Sequence, residues 1–494
     1  MNRSPIKQLA GETAIYGFST VLARVINFFF VPIYTRVLTT AQYGSYTEFM
    51  AYIAILLVVL TMGLETGCFR FANKHDRPHE VFSSALSVVL VFSLLFLGAS
   101  ILFARPVAAG LGYAGYQRCI VYVGAILAID AVTSILFARL RFEHKAVTFA
   151  VFKSVKIFGE LTFNLLLFLV LPAHLQRVPD SFFTLFVSPT PDFDYVLFAT
   201  FLSCMVLLLL FVPRLVKKGA LRFHSSLMKR MMVYALPLML AGLPGILNDF
   251  VDRILFRFLI PAERIWRSDL GIFQASVKLA VLMTLFTQMF RFAAEPFFFA
   301  QAKTRESGLL YAKVLNYFTA FGMLLFLGIL LYVDAIGLIL GSDFREGISV
   351  LPIMLFAYLL LGMSFNVSMW YKLTEKTSYA LYITCAGLLV TLLVNTVFMP
   401  RFGYLACAWA HLFSYAVILG INIVLGQKHF PVPYQWGRIA GYLGAGLAIW
   451  GSTLLLPDLP LWEKWGIHTL LIIVYLAFVW RIERSPVKKR TAVK

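Results

Sequence analysis

Six cations fall inside stretches of this chain that are otherwise apolar: Arg24, Lys153, Lys156, Arg253, Lys278 and Arg291. The acids in comparable positions are Asp130, Glu160, Asp249 and Asp252. An Arg at the centre of a membrane-spanning helix costs roughly 2.5–3.5 kcal/mol on insertion scales, so such a residue faces a bundle interior or a wet cavity. A cavity with surplus cations suits an anionic ligand, and Arg holds phosphate oxygens in a planar, bidentate grip. Arg24, with Asn27 one turn on, therefore needs an anion. That anion is either an acid on a neighbouring helix, such as Asp130 or Glu65, or the phosphate of a ligand. Lys153, Lys156, Glu160 and Asn164 follow in steps of three, four and four, which puts them on one helical face. Lys156 and Glu160 can pair and merely orient that helix, leaving Lys153 unspent. Asp130 is either a proton or cation carrier or the partner of one of these lysines. Asp249 and Arg253 are four apart and can pair; Arg253 and Arg257 repel unless an anion lies near.

The elements that position these residues must cross a membrane. Of 494 residues, 60% are hydrophobic and 14% charged, with a mean hydropathy of +0.82. Apolar windows long enough to span a bilayer lie near 12–36, 43–67, 81–104, 117–138, 147–171, 193–213, 230–259, 270–294, 309–333, 348–371, 378–399, 404–426, 437–456 and 463–480. The predicted fold is an all-α polytopic membrane protein of about 14 spans. Pro32 should loosen the first span near its end, before Arg36. Pro237, Gly242, Pro244 and Gly245 predict a bent or broken seventh span. Domain boundaries follow: a six-helix bundle over 1–213, a basic linker at 214–229, a second six-helix bundle over 230–426, a further hairpin at 427–480 and a basic tail at 481–494.

Lys and Arg number 43 against 24 Asp and Glu, a net charge of +19. With the N-terminus cytoplasmic, alternating loops hold 27 Lys and Arg on the cytoplasmic side and 10 on the other. That asymmetry predicts both termini inside. No basic folded domain is present for nucleic acid. The five cysteines are scattered singly, and His75 and His79 are separated by Pro78, so neither a metal site nor a disulfide framework is expected. No cofactor is expected. The first span lacks a short apolar core followed by a cleavage site and is expected to be retained.

The halves echo one another faintly. Ile33–Leu38 (IYTRVL) ends span one, and Phe250–Leu255 (FVDRIL) ends span seven. Tyr43-Gly44 opens span two as Leu270-Gly271 opens span eight, and these spans end with Glu65 and Glu295. This is the pattern of a parallel repeat about an axis along the membrane normal.

Pro32–Tyr46 (PIYTRVLTTAQYGSY) after an interior Arg24, with Met62–Asn73 (MGLETGCFRFAN) and Leu270–Phe299, resembles the polysaccharide flippases of the multidrug/oligosaccharidyl-lipid/polysaccharide exporter superfamily. The resemblance implies two six-helix bundles in a V around a central cavity whose cations grip the pyrophosphate of a polyprenyl-linked sugar. It implies a multi-pass protein of the bacterial inner membrane, a lipid-linked oligosaccharide substrate and no enzymatic activity. A polysaccharide polymerase or glycosyltransferases fit as further partners. The ligand-gripping role carries over to Arg24 and, at the matching IYTR and FVDR positions, to Arg36 and Arg253. Two alternatives share the fold: a cell-wall precursor flippase, and a cation-coupled multidrug antiporter, which would favour an acid-rich cavity. Asp130, Glu160 and Asp249 are the candidates for ion coupling.

Overall fold

The computed structural model describes residues 17, 21–22, 24–185, 187–216, 221–301, 307–457 and 459–484. Among these the regular structure is helical. The long elements are α1 (Val31–Val37), α2 (Thr40–Thr61), α3 (Leu64–Ala72), α4 (Pro78–Leu102), α5 (Gln117–Phe142), α6 (Ala146–Leu165), α7 (Asp194–Leu215), α8 (Ser225–Leu259), α9 (Trp266–Gln301), α10 (Ser307–Leu331), α11 (Leu351–Val367), α12 (Ser378–Phe402), α13 (Tyr404–His429), α14 (Trp436–Thr453) and α15 (Leu461–Arg484). Twelve helical stretches among the described residues are long and apolar enough to cross a membrane. The expected fourteen are not all reached. Nine of the 25 residues of window 12–36 lie outside the described residues, and window 437–456 forms α14, which is not one of the twelve. The protein is a multi-pass membrane protein.

Pro32 does interrupt its helix. A turn at Phe30 separates the preceding helical residues from α1, and Pro32 sits in the first turn of α1, where a missing N–H costs little. Span seven corrects the expectation of a break. α8 is continuous for 35 residues with Pro237 and Pro244 inside it. Each proline removes only one ladder bond, and the turns on either side hold. At 1.5 Å per residue α8 reaches about 50 Å, well beyond a hydrocarbon core of about 30 Å. The break comes instead in span two. Met62 (φ 50°) and Gly63 (φ 67°) are both left-handed and separate α2 from α3. α8 packs into this notch, where a β-carbon on Gly63 would lie 2.6 Å from the Ala235 carbonyl oxygen.

Packing groups the helices into two compact units. One ends at Gln274 within α9 and takes in Asn395–Tyr404; the other holds Ala275–Val394 and resumes at Leu405. In the second unit, α14 and α15 both pack on α10. Tyr475 is fully buried and donates to the Ala320 carbonyl (3.1 Å), Met323 fills the space left by Gly446, and Asn316 donates to Gln435 (2.8 Å).

In the first unit the starts of α2 and α9 cross with their backbones in contact. Thr39 and Gln42 form a reciprocal cap that starts α2. A β-carbon on Gly44 would lie 1.9 Å from the Arg267 carbonyl oxygen; one on Gly271 would lie 1.9 Å from that of Thr40. The Thr40 and Ser268 hydroxyls also touch. The contact is reciprocal, as a local two-fold relation between these segments requires, and it joins the Tyr43-Gly44 and Leu270-Gly271 pair of the sequence. Small residues at membrane helix crossings allow this approach.

Alanine in a helix gains about 1 kcal/mol over glycine. At this crossing the obstacle is backbone, which cannot swing aside, so overpacking of roughly 1–3 kcal/mol should win. Gly44→Ala and Gly271→Ala should each lower the melting temperature in detergent. Gly98→Ala on α4, where nothing lies within 4 Å of the new carbon, should leave it unchanged or raise it.

Candidate functional site

The polar stripe on α6 faces its neighbours within the first unit. Lys156 donates to Asp130 of α5 at 2.5 Å, and each side chain keeps just under a fifth of its surface exposed. The sequence allowed Lys156 a partner in Glu160 and left Asp130 as carrier or partner; the observed ion pair is Lys156–Asp130. The Cys204 thiol also approaches Asp130 (3.5 Å). Glu160 accepts from the Thr200 hydroxyl at 3.4 Å, and Asn164, buried, accepts from the Tyr34 hydroxyl at 2.6 Å. Lys153 lies over the Phe137 ring, 4.6 Å from its centre. Most of the stripe thus joins α6 to α5, α7 and α1.

A second charged cluster lies on α2, and its central acid was missed. Glu48 is fully buried. It accepts from Tyr52 (2.6 Å) and Tyr113 (2.5 Å), and Arg257 of α8 stands 3.7 Å away. Arg267 lies over the rings of Tyr113 and Trp266 and donates to the Gly112 carbonyl (2.8 Å). Burial, then the neighbouring Glu48 charge, pushes the Tyr113 phenol well above its ordinary range, so it remains a donor. Glu48 is thus an anion beside Arg257. An acid inside the apolar window 43–67 was the available signal.

The remaining candidates are dispersed. Arg24, Asn27 and Asp249 are exposed at the protein surface; Arg36 is exposed and donates to the Pro32 carbonyl (2.9 Å). Arg253 is half-buried over the Phe250 ring at 4.6 Å, and Lys278 is half-buried. In the first unit, Glu65 at the start of α3 pairs with Arg141 at the end of α5. In the second, Glu295 pairs with Lys372, beyond the end of α11, and with Arg291 (3.4 Å), whose guanidinium lies over Phe365 at 5.1 Å. Spans two and four in one half and eight and ten in the other thus carry matching acid–cation pairs, and the second has an extra Arg. Among the described residues no group of three or more His, Cys, Asp or Glu could hold a metal.

Residues 9–302, more than half of the chain, match the family described as "Polysaccharide biosynthesis protein". The chain belongs to this family. No curated protein matches it by sequence. Among solved structures, the lipid II flippase MurJ in an inward closed conformation is similar over 94% of this chain and 98% of its own, at 12% identity and a TM-score of 0.69. An inward-facing multidrug resistance transporter of the MATE family and MOP superfamily is similar over 85% of this chain and 96% of its own, at 13% identity and a TM-score of 0.63. At these identities the likeness establishes the fold. This member of the polysaccharide biosynthesis family is built on the exporter fold that its opening residues suggested.

On that fold the Lys156–Asp130 pair has a direct test. Breaking a buried pair by removing one partner costs roughly 3–5 kcal/mol, somewhat less where the groups keep some exposure. Lys156→Met should lower the amount of folded protein, and Asp130→Asn in the same chain should restore it. Lys153→Met should leave abundance near wild type. Fluorescence-detected gel filtration reads all three.

Proposed function

We propose that the protein is a flippase that moves polyprenyl-pyrophosphate-linked oligosaccharide across the bacterial inner membrane for envelope polysaccharide synthesis of the O-antigen or capsule type. The family match carries this reading, and the intramembrane charges support it. An Arg within a span cannot shed its proton to escape the membrane, and Arg24, in the first span, is the residue we assign to the phosphate. Lys153, Lys156, Lys278, Arg36, Arg253 and Arg291 supply further positive charge, and Asn27 follows Arg24 by one turn. Asp130 is held by Lys156, so Glu160 and Asp249 are the groups through which a coupling ion would act.

A second reading has one observation in its favour: the similarity to a structure named as a lipid II flippase. The cell-wall precursor shares the pyrophosphate, so charge does not separate the two. The family match favours the oligosaccharide. A multidrug antiporter would call for an excess of acids. The two six-helix bundles, the linker at 214–229 and the hairpin at 427–480 belong to the same proposal, as do cytoplasmic termini and a polymerase or glycosyltransferase partner.

In a strain whose only copy carries Arg24→Ala, surface polysaccharide should be lost while the protein stays near normal abundance. Arg24→Lys should keep part of the activity, because a point charge replaces a bidentate fork. Normal surface polysaccharide with Arg24→Ala contradicts the grip. For topology, a cysteine at Ser181 should be labelled from outside and one at Ser225 should not.

A further inference from the structure

The matching acid–cation pairs of the two halves differ in charge. Glu65 faces Arg141, one acid to one cation. Glu295 faces both Lys372 and Arg291. These three side chains are between a quarter and a half exposed, so water and ligands reach them. With Thr287, Phe290 and Asn366 they line a pocket between α9 and α11. Thr287 is 6% exposed, and its hydroxyl oxygen has no hydrogen-bond partner; the Asn366 side-chain carbonyl oxygen has none either. The Phe365 ring lies against the Arg291 guanidinium, 5.1 Å from its centre.

The pocket has room for a water and little more, about 20 Å³ of accessible space. What fills the space between the cations is the Glu295 carboxylate. A carboxylate and a phosphate oxygen pair make the same kind of bond to Arg and Lys, but a pyrophosphate brings more charge and more acceptors. Two cations on one acid leave a net positive charge that a dianion would satisfy better than Glu295 does. The Thr287 hydroxyl then has an acceptor to donate to.

We propose that Arg291 and Lys372 form a phosphate-binding station in the second half, with Glu295 as a resident counter-anion that an incoming pyrophosphate displaces. The station itself rests on this geometry alone; that its ligand is a lipid headgroup rests on the flippase reading. By the charge alternation it lies at the cytoplasmic end of α9, where a substrate made inside would first be met. Glu295 serves two purposes there. It keeps the empty station from holding the cations bare, and it weakens the hold enough for the ligand to move on.

The sign of one substitution separates this from a structural salt bridge. The full-length protein is purified into nanodiscs and titrated with inorganic pyrophosphate by calorimetry. Glu295→Gln should bind about tenfold tighter than wild type, and Lys372→Met should bind at least about tenfold weaker, as expected for gain or loss of one charge-assisted contact. Pyrophosphate should raise the melting temperature of wild type and not of Lys372→Met. A Glu295→Gln protein that binds no tighter, or that fails to fold while Lys372→Met folds and binds like wild type, overturns the proposal. Adding a polyprenyl pyrophosphate to the nanodisc identifies the source: displacement of the probe assigns the station to a lipid headgroup, and a probe that stays assigns it to a free phosphate compound. Binding with these signs in a protein that moves no lipid-linked sugar leaves the station standing and removes the transport reading.

Discussion

Apolar packing cannot by itself tell a helix in a membrane which way to face, because lipid tails are as apolar as leucine. Orientation in this protein comes from groups that lipid cannot accept. Lys156 must meet Asp130, which turns the stripe of α6 toward α5. Glu48 must meet its two tyrosines and Arg257, which ties α2 to α8 and to the segment around Tyr113. The Gly44–Gly271 crossing adds a constraint of shape, since only residues without a β-carbon let those two backbones touch. Each of these contacts is local, and together they set the rotation and register of the helices in the first unit.

The sequence disclosed this architecture unevenly. Apolar windows placed most helices within a few residues, because hydrocarbon thickness imposes a length that composition reveals. Tyr43-Gly44 and Leu270-Gly271 looked like a faint repeat and proved to be opposite sides of one contact. Glu65 and Glu295 looked like matching span ends and proved to hold matching cations. The misses have physical causes. Pro237, Gly242, Pro244 and Gly245 predicted a bent or broken span; the break is absent, because isolated losses of one hydrogen bond do not end a helix supported on both sides. The actual interruption, at Met62-Gly63, rests on a single glycine and on α8 packing into the notch, which no window of hydropathy contains. Glu48 is not legible from spacing, because Tyr113 and Arg257 come to it from two other segments of the chain. Lys372 likewise lies at a helix end, where a Lys normally reports topology.

The two halves share a plan and differ in charge. In the first, Lys156 and Arg141 are bound to acids, so these interior cations serve to hold helices together. In the second, Arg291 is an addition to an already matched pair. Under the flippase reading Arg24 serves to bind the phosphate in the first half.

The most direct measurement is transport itself. Purified protein would be placed in liposomes whose inner leaflet carries an oligosaccharide on polyprenyl pyrophosphate, and the sugar reaching the outer leaflet would be cleaved by an added glycosidase. The account predicts protein-dependent exposure of the sugar, lost with Arg24→Ala, and no export of a cationic dye from the same liposomes. Dye export without exposure of the sugar would contradict it.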